Sequence, residues 1–279
     1  MTDILTLAFR TFMPQTDLQK DSTVRPPPPT TCSALVVGDP SVSRSVLLLA
    51  AVTAASQMGM RVMFFTQTQI QSLPASLQKC VPSLGPESLK KIKFSYPRTV
   101  EELLQQMASL HESTNTTPTP PSLIIVDRLE GFLCGPQGGS HSEFHRGEQS
   151  CAAHLSALLC DTAAFLTQVL EQRSSSSGPC RFIASFQSDV DPGQTGGEPS
   201  ATDPILETLD RYFKVRCTLD QDRGYEATAA GLQQIWHIYL SGRGITEASC
   251  AKESKDRPDV AQEWQLLIFP NGLMEFKLV

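Results

Sequence analysis

Gly38-Asp39-Pro40-Ser41-Val42-Ser43-Arg44-Ser45 holds the residue types that seat a phosphate: a glycine closing an apolar run, several hydroxyls, and a cation where a helix is expected to start. A helix N-terminus offers unpaired N–H groups and the positive end of a dipole, so a strand-to-helix turn suits an anion. Against the pattern GxxxxGK[ST], Gly38 and Ser45 match, while Ser43 stands for the second glycine and Arg44 for the lysine. Glycine takes positive φ and lets a backbone close on phosphate oxygens, which Ser43 resists. Arginine keeps the charge but is planar and bulky where a compact ammonium is wanted. The other reading of this segment is an ordinary turn capped by serines.

Asp127 ends the apolar run Leu123-Ile124-Ile125-Val126. A carboxylate there is placed to hold Mg²⁺ near the hydroxyl of Ser45. Gln187 closes a similar run, Phe182 to Phe186. Lys90, Lys91, Lys93 and Arg98 interleave with Phe94 and Tyr96, a mixture that binds single-stranded nucleic acid by charge and stacking. The same alternation fits a plain edge strand with solvated lysines. Cys134, His141, His145 and Cys151 are metal-ligand types, but the short Cys spacing of structural sites is missing, so no structural zinc is expected. No residue is assigned a catalytic role.

The elements that must position these residues follow from apolar periodicity. Ser33 to Val37 and Arg61 to Thr66 read as buried strands flanking a helix from Ser45 to Met58, with Gly59 past its end. That is a right-handed βαβ unit. Ile92 to Tyr96 reads as a strand, and Thr99 with Glu102 as a capping box. Leu123 to Asp127 and Phe182 to Phe186 are further strands, with an amphipathic helix from Cys151 to Leu170. Tyr212 to Leu219, Ile235 to Leu240 and Trp264 to Phe269 follow, and Asn271-Gly272 turns the last into Leu273 to Leu278. The pattern predicts an α/β fold with a mixed, mostly parallel sheet and C-terminal antiparallel hairpin strands. Residues 33–37 and 123–127 are expected side by side, aiming their ends at one crevice.

Residues 1–31 read as a flexible tail and proline-rich linker. Their stripe of Ile4, Leu5, Ala8, Phe9, Phe12 and Met13 docks either on the chain's own domain or on a partner. Residues 32–279 form the core, with mobile loops expected near 131–148 and 188–203. A formal net charge of −6 argues against wholesale attraction to phosphate polymers or anionic membranes. The apolar run Val46 to Ala55 is too short to span a bilayer and no signal peptide is read at Met1, so no membrane contact is expected. Cys32, Cys180 and Cys217 sit in strand-like runs as buried free thiols, which points to a reducing compartment.

Lys91-Ile92-Lys93-Phe94-Ser95-Tyr96-Pro97-Arg98-Thr99-Val100-Glu101-Glu102-Leu103, Leu123 to Leu133, Leu158 to Phe165, Asp210 to Phe213 and Gln71 to Pro74 stand in a specific order and spacing. In them the chain resembles the RecA-like subunits that accompany SWIM-domain zinc-finger proteins in metazoan Shu complexes, and more distantly the recombinase paralogs. The match covers most of residues 32–219. The resemblance implies a P-loop core, with Gly38 to Ser45 as Walker A, Asp127 as Walker B and Gln187 as polar sensor. It also implies ATP and Mg²⁺ as ligands, heterodimer formation with the SWIM zinc-finger protein, promotion of recombinase filaments, single-stranded DNA binding and a nuclear role in homologous recombination.

Three departures bear on that picture. Walker A lacks its second glycine and its lysine. The family's water-activating glutamate after the second core strand is replaced by Gln67, whose neutral amide is no general base. No Phe-x-x-Ala self-assembly motif occurs. The expectation is therefore a recombination-complex subunit with a degenerate ATP site, ATP and Mg²⁺ weakly held or lost, meeting single-stranded DNA through its assembly. The alternatives are an active DNA-stimulated ATPase using Arg44 and Ser45, and a RecA-like accessory subunit of an Elongator-type tRNA-modification complex.

Overall fold

The computed structural model describes residues 4–13, 33–71, 85–112, 119–133, 141–173, 178–188, 203–222, 232–242 and 260–279. Parallel strands are β1 (Ser33–Val37), β2 (Val62–Phe65), β3 (Ile92–Ser95), β4 (Leu123–Val126) and β5 (Arg181–Phe186), extended by β6 (Val215–Asp222). Strands β7 (Gln234–Ser241), β8 (Val260–Ile268) and β9 (Met274–Leu278) add antiparallel. Among the described residues they make one nine-stranded sheet, ordered β3-β2-β4-β5-β1-β6-β7-β8-β9. The inner parallel strands β1, β2, β4 and β5 are buried almost throughout on both faces, as strands covered by helices on each side must be. At the C-terminal end Gly272, at φ 77°, makes the turn before β9, and the backbone N–H of Leu273 donates to the Asn271 side chain.

The helices are α1 (Ile4–Thr11), α2 (Pro40–Gln57), α3 (Pro86–Leu89), α4 (Val100–Glu112), α5 (Glu130–Leu133), α6 (His141–Arg173) and α7 (Pro204–Leu209). One core packs α1 and α2 against β1, β2 and the antiparallel strands; the other packs α4, α6 and α7 on the opposite face. Helix α2 is buried almost all round, which explains its unbroken apolar run. Cys180 and Cys217 are buried free thiols, and burial pushes the Cys180 thiol up to about 12. Cys32 lies outside the described residues.

Four expectations need correction. Strands β1 and β4 share the sheet but are not neighbours, because the apolar β5 lies between and pairs with both. Residues 4–13 are no flexible appendage: Ile4, Leu5, Ala8, Phe9 and Phe12 are buried in the α2-side core. The linker after them lies outside the described residues. Helix α2 begins at Pro40, not Ser45. Asp39-Pro40 is itself a start signal, since proline suits the first helical position and aspartate the cap. Residues 141–148, placed in a mobile loop, belong to the first turns of α6, and 131–133 belong to α5. Residues 134–140 and 189–202 lie outside the described residues. Helix α6 from Gly147 to Arg173 is long and apolar enough by composition to cross a membrane. Its stripe of Leu155, Leu159, Ala163, Leu166 and Leu170 is instead buried in the second core.

Candidate functional site

Strand β1 ends at Gly38, whose φ of 154° and close approach to β6 both require the absence of a side chain: a Cβ there would lie 2.7 Å from that of Leu219. Asp39 follows as N-cap, and its carboxylate accepts hydrogen bonds from the Ser41 N–H at 2.9 Å, the Val42 N–H at 3.2 Å and the Ser41 hydroxyl at 2.6 Å. Burial pushes the Asp39 carboxyl up, but the bonds from the Ser41 hydroxyl and the Val42 and Ser41 amides outweigh it, and the group lies below its ordinary value. The anion at the N-terminus of α2 is thus the chain's own.

Because the helix starts early, Arg44 stands in its second turn and its guanidinium Nε donates to Asp127 Oδ2 at 2.7 Å. Two strand spacings, about 10 Å, separate β1 from β4. A long side chain spans that gap from the start of α2. Asp127 is fully buried, whereas the Arg44 side chain is 26% exposed. The carboxylate also accepts from Thr66 Oγ1 at 2.9 Å and Ser185 Oγ at 3.3 Å. Those hydroxyls end β2 and β5, so three strands and one helix converge on a single carboxylate.

Among the described residues, the other expected ligands make no hydrogen bond to Asp127. Ser43 is 1% exposed and its hydroxyl has no partner among the described residues. The Ser45 hydroxyl donates back to the carbonyl of Ser41 at 2.9 Å. Gln187 is exposed, and its backbone N–H donates to Glu130 Oε2 at 3.1 Å, while Arg128 Nε meets Glu130 Oε1 at 3.1 Å. Arg128 takes φ 63°, with its own N–H donating to Ser185 Oγ at 2.8 Å. A non-glycine residue in that region is held only by over-determined surroundings. Sequence reading named Gly38, Ser43, Arg44, Ser45, Asp127 and Gln187 but missed Asp39, Thr66, Ser185 and Glu130. Of these, only Asp39 carried a signal, as the residue before a proline-led helix.

Lys90, Lys91, Lys93 and Arg98 are all exposed, along and beside the edge strand β3. Lys90 pairs with Glu87 at 2.6 Å, both side chains solvated, a contact worth little. Phe94 turns inward onto Phe64, at 5.3 Å between ring centroids. Cys134 lies outside the described residues, as do the side chains of His141 and His145. A cavity of about 330 Å³ opens at the opposite end of the strands, walled by Met58, Arg61, Pro120, Leu170 and Arg181. It lies at the amino-terminal ends of β2, β4 and β5, away from Asp127. Helix C-termini point toward that end, and their negative dipole ends disfavour an anion there.

Substituting Asp39→Ala removes the cap and should cost about 1 kcal/mol in urea unfolding at neutral pH. Since the folded-state value is lowered, that contribution is complete above the unfolded-state value and fades as pH falls through the folded one. The difference between wild type and variant should therefore shrink in acid.

A parallel core ordered 3-2-4-5-1, helices on both faces and a strand-to-helix turn beside a buried aspartate define a protein of the RecA- and KaiC-like α/β class. A KaiC-like protein from the hyperthermophilic archaeon Pyrococcus horikoshii has this fold, with a TM-score of 0.50, 13% identity and 90% of each chain covered. That likeness concerns the fold alone. The chain is 35% identical over 190 residues to the mouse protein named ATPase SWSAP1, a match of 67% of this chain and 58% of that one. It is 33% identical over 193 residues to the human protein of that name, covering 67% of this chain and 71% of the relative. The chain belongs to the SWSAP1 family. The match thus spans less than two thirds of the mouse relative's length. No family model matches the chain.

Proposed function

We propose that this chain is a subunit of a Shu-type complex that promotes homologous recombination repair in the nucleus, with a degenerate ATP site. In this reading it works through a SWIM-domain zinc-finger partner, and through that assembly it meets single-stranded DNA and recombinase or its paralogs. The exposed basic edge of Lys90, Lys91, Lys93 and Arg98 supplies local positive charge on a chain of net charge −6. Membership in the SWSAP1 family supports the repair role; no observation favours an Elongator-type assembly.

One observation carries the claim of degeneracy: the chain's own side chains take both charged seats of the site. Asp39 supplies the anion at the helix N-terminus, and Arg44 supplies the cation against Asp127. A bound nucleotide would have to displace the first, and Mg²⁺ the second. The Ser43 hydroxyl is buried and that of Ser45 is tied to its own helix, so neither is presented to a phosphate or a metal. In this arrangement the residues do not fit a nucleotide with its metal.

The second reading, an active ATPase, is favoured by the name that the mouse and human relatives carry. The two separate cleanly. Titrating the purified chain with ATP and Mg²⁺ should show no binding up to millimolar nucleotide, and single-stranded DNA should raise no phosphate release. Micromolar binding, or turnover stimulated by single-stranded DNA, would establish the ATPase instead.

A further inference from the structure

Gln67 follows Thr66 just past β2, and its side-chain amide lies between two carbonyl oxygens. Nε2 donates to the carbonyl of Gly131 at 2.8 Å and to that of Arg98 at 3.1 Å. The amide nitrogen carries two hydrogens and so serves both acceptors. A carboxylate in the same place would set its lone pairs against two carbonyl oxygens. Gly131 completes the fit, since a Cβ on it would lie 2.4 Å from Gln67 Oε1. The Arg98 backbone is also held on its other side, where its N–H donates to Glu102 Oε2 at 2.7 Å.

We propose that Gln67 is a cross-tie joining the segments that follow β2, β3 and β4, and not an inert stand-in for a water-activating acid. It fixes the basic edge around Arg98 relative to the segment leaving Asp127. Its chemistry is that of a double donor, so glutamine and glutamate are opposites at this position. The inference rests on hydrogen-bond geometry and stands whether or not the chain binds nucleotide.

Amide hydrogen exchange below the unfolding transition tests it in the full chain, with Gln67→Ala, Gln67→Glu, Gly131→Ala and the double variant Gln67→Ala/Gly131→Ala. Gln67 is exposed, and the nearest atoms that a Cβ on Gly131 would meet belong to the Gln67 side chain, so each variant is expected to fold. Gln67→Ala should speed exchange around Leu103 and around Gly131 to Leu133 together, by about 5- to 150-fold, as two ordinary hydrogen bonds imply. Gly131→Ala should do the same in the wild-type background and add nothing to Gln67→Ala, since both break one tie. Gln67→Glu should exchange at least as fast as Gln67→Ala and gain no ATP hydrolysis. The proposal is overturned if Gln67→Glu protects as well as wild type or acquires turnover. It is equally overturned if only one segment responds, or if the two substitutions act independently.

Discussion

Arg44→Ala should lower the unfolding free energy by about 3 kcal/mol, while Arg44→Ala/Asp127→Asn should recover at least about 1.5 kcal/mol of that loss. Removing one partner of a buried pair leaves the other uncompensated, and Asp127 is wholly buried against Arg44, Thr66 and Ser185. The low end of the usual cost applies, because the Arg44 side chain keeps 26% exposure and water can follow its removal. The neutral amide introduced by Asp127→Asn accepts from one hydroxyl through its oxygen, donates to the other through its nitrogen, and needs no cation. Asp127→Asn alone should cost about 1 kcal/mol, since Arg44 can turn to solvent. Urea midpoints of the four proteins give the cycle. Additive effects would mean that the pair is a spectator, and the surrogate-cation reading would fall with it.

Phe9→Ala should cost about 3–5 kcal/mol, as large for an eight-residue helix as for any position in the central sheet. Phe9 is fully buried, stacks on Phe276 at 4.6 Å between centroids and meets Trp264 edge-on at 5.6 Å. Such aromatic pairs add about 0.5–1.5 kcal/mol to the area they bury. The backbone joins in, since Phe276 N–H donates to the Phe12 carbonyl at 3.1 Å. Helix α1 thus seals the end of the sheet where β8 and β9 would otherwise expose Trp264 and Phe276. Truncation should also wet Trp264 and shift its fluorescence to the red. A loss below about 1 kcal/mol would mean that α1 adds little to the core.

Much of the architecture is legible in the residues because parallel strands buried on both faces must be apolar, as Ala34 to Val37 and Leu123 to Val126 are. The Asn271-Gly272 turn and the Thr99 cap are similarly local. The N-terminal stripe shows an amphipathic helix, but whether its face met this sheet or another protein was a tertiary question. The start of α2 was readable in Asp39-Pro40 and was outweighed by the spacing of a phosphate loop, which set the boundary five residues too late.

What the amino-acid sequence determined was the set of charges and donors available: a guanidinium where an ammonium is usual, an amide where an acid is usual, and an aspartate at a strand end. What the tertiary structure decided was which of these meet. The order β4-β5-β1 sets a gap that Arg44 spans to Asp127, and it brings Thr66 and Ser185 to the same carboxylate from strands far apart in the chain. Periodicity and spacing report how a residue faces its own element. Pairing between elements depends on strand order and long-range packing, which no local pattern encodes.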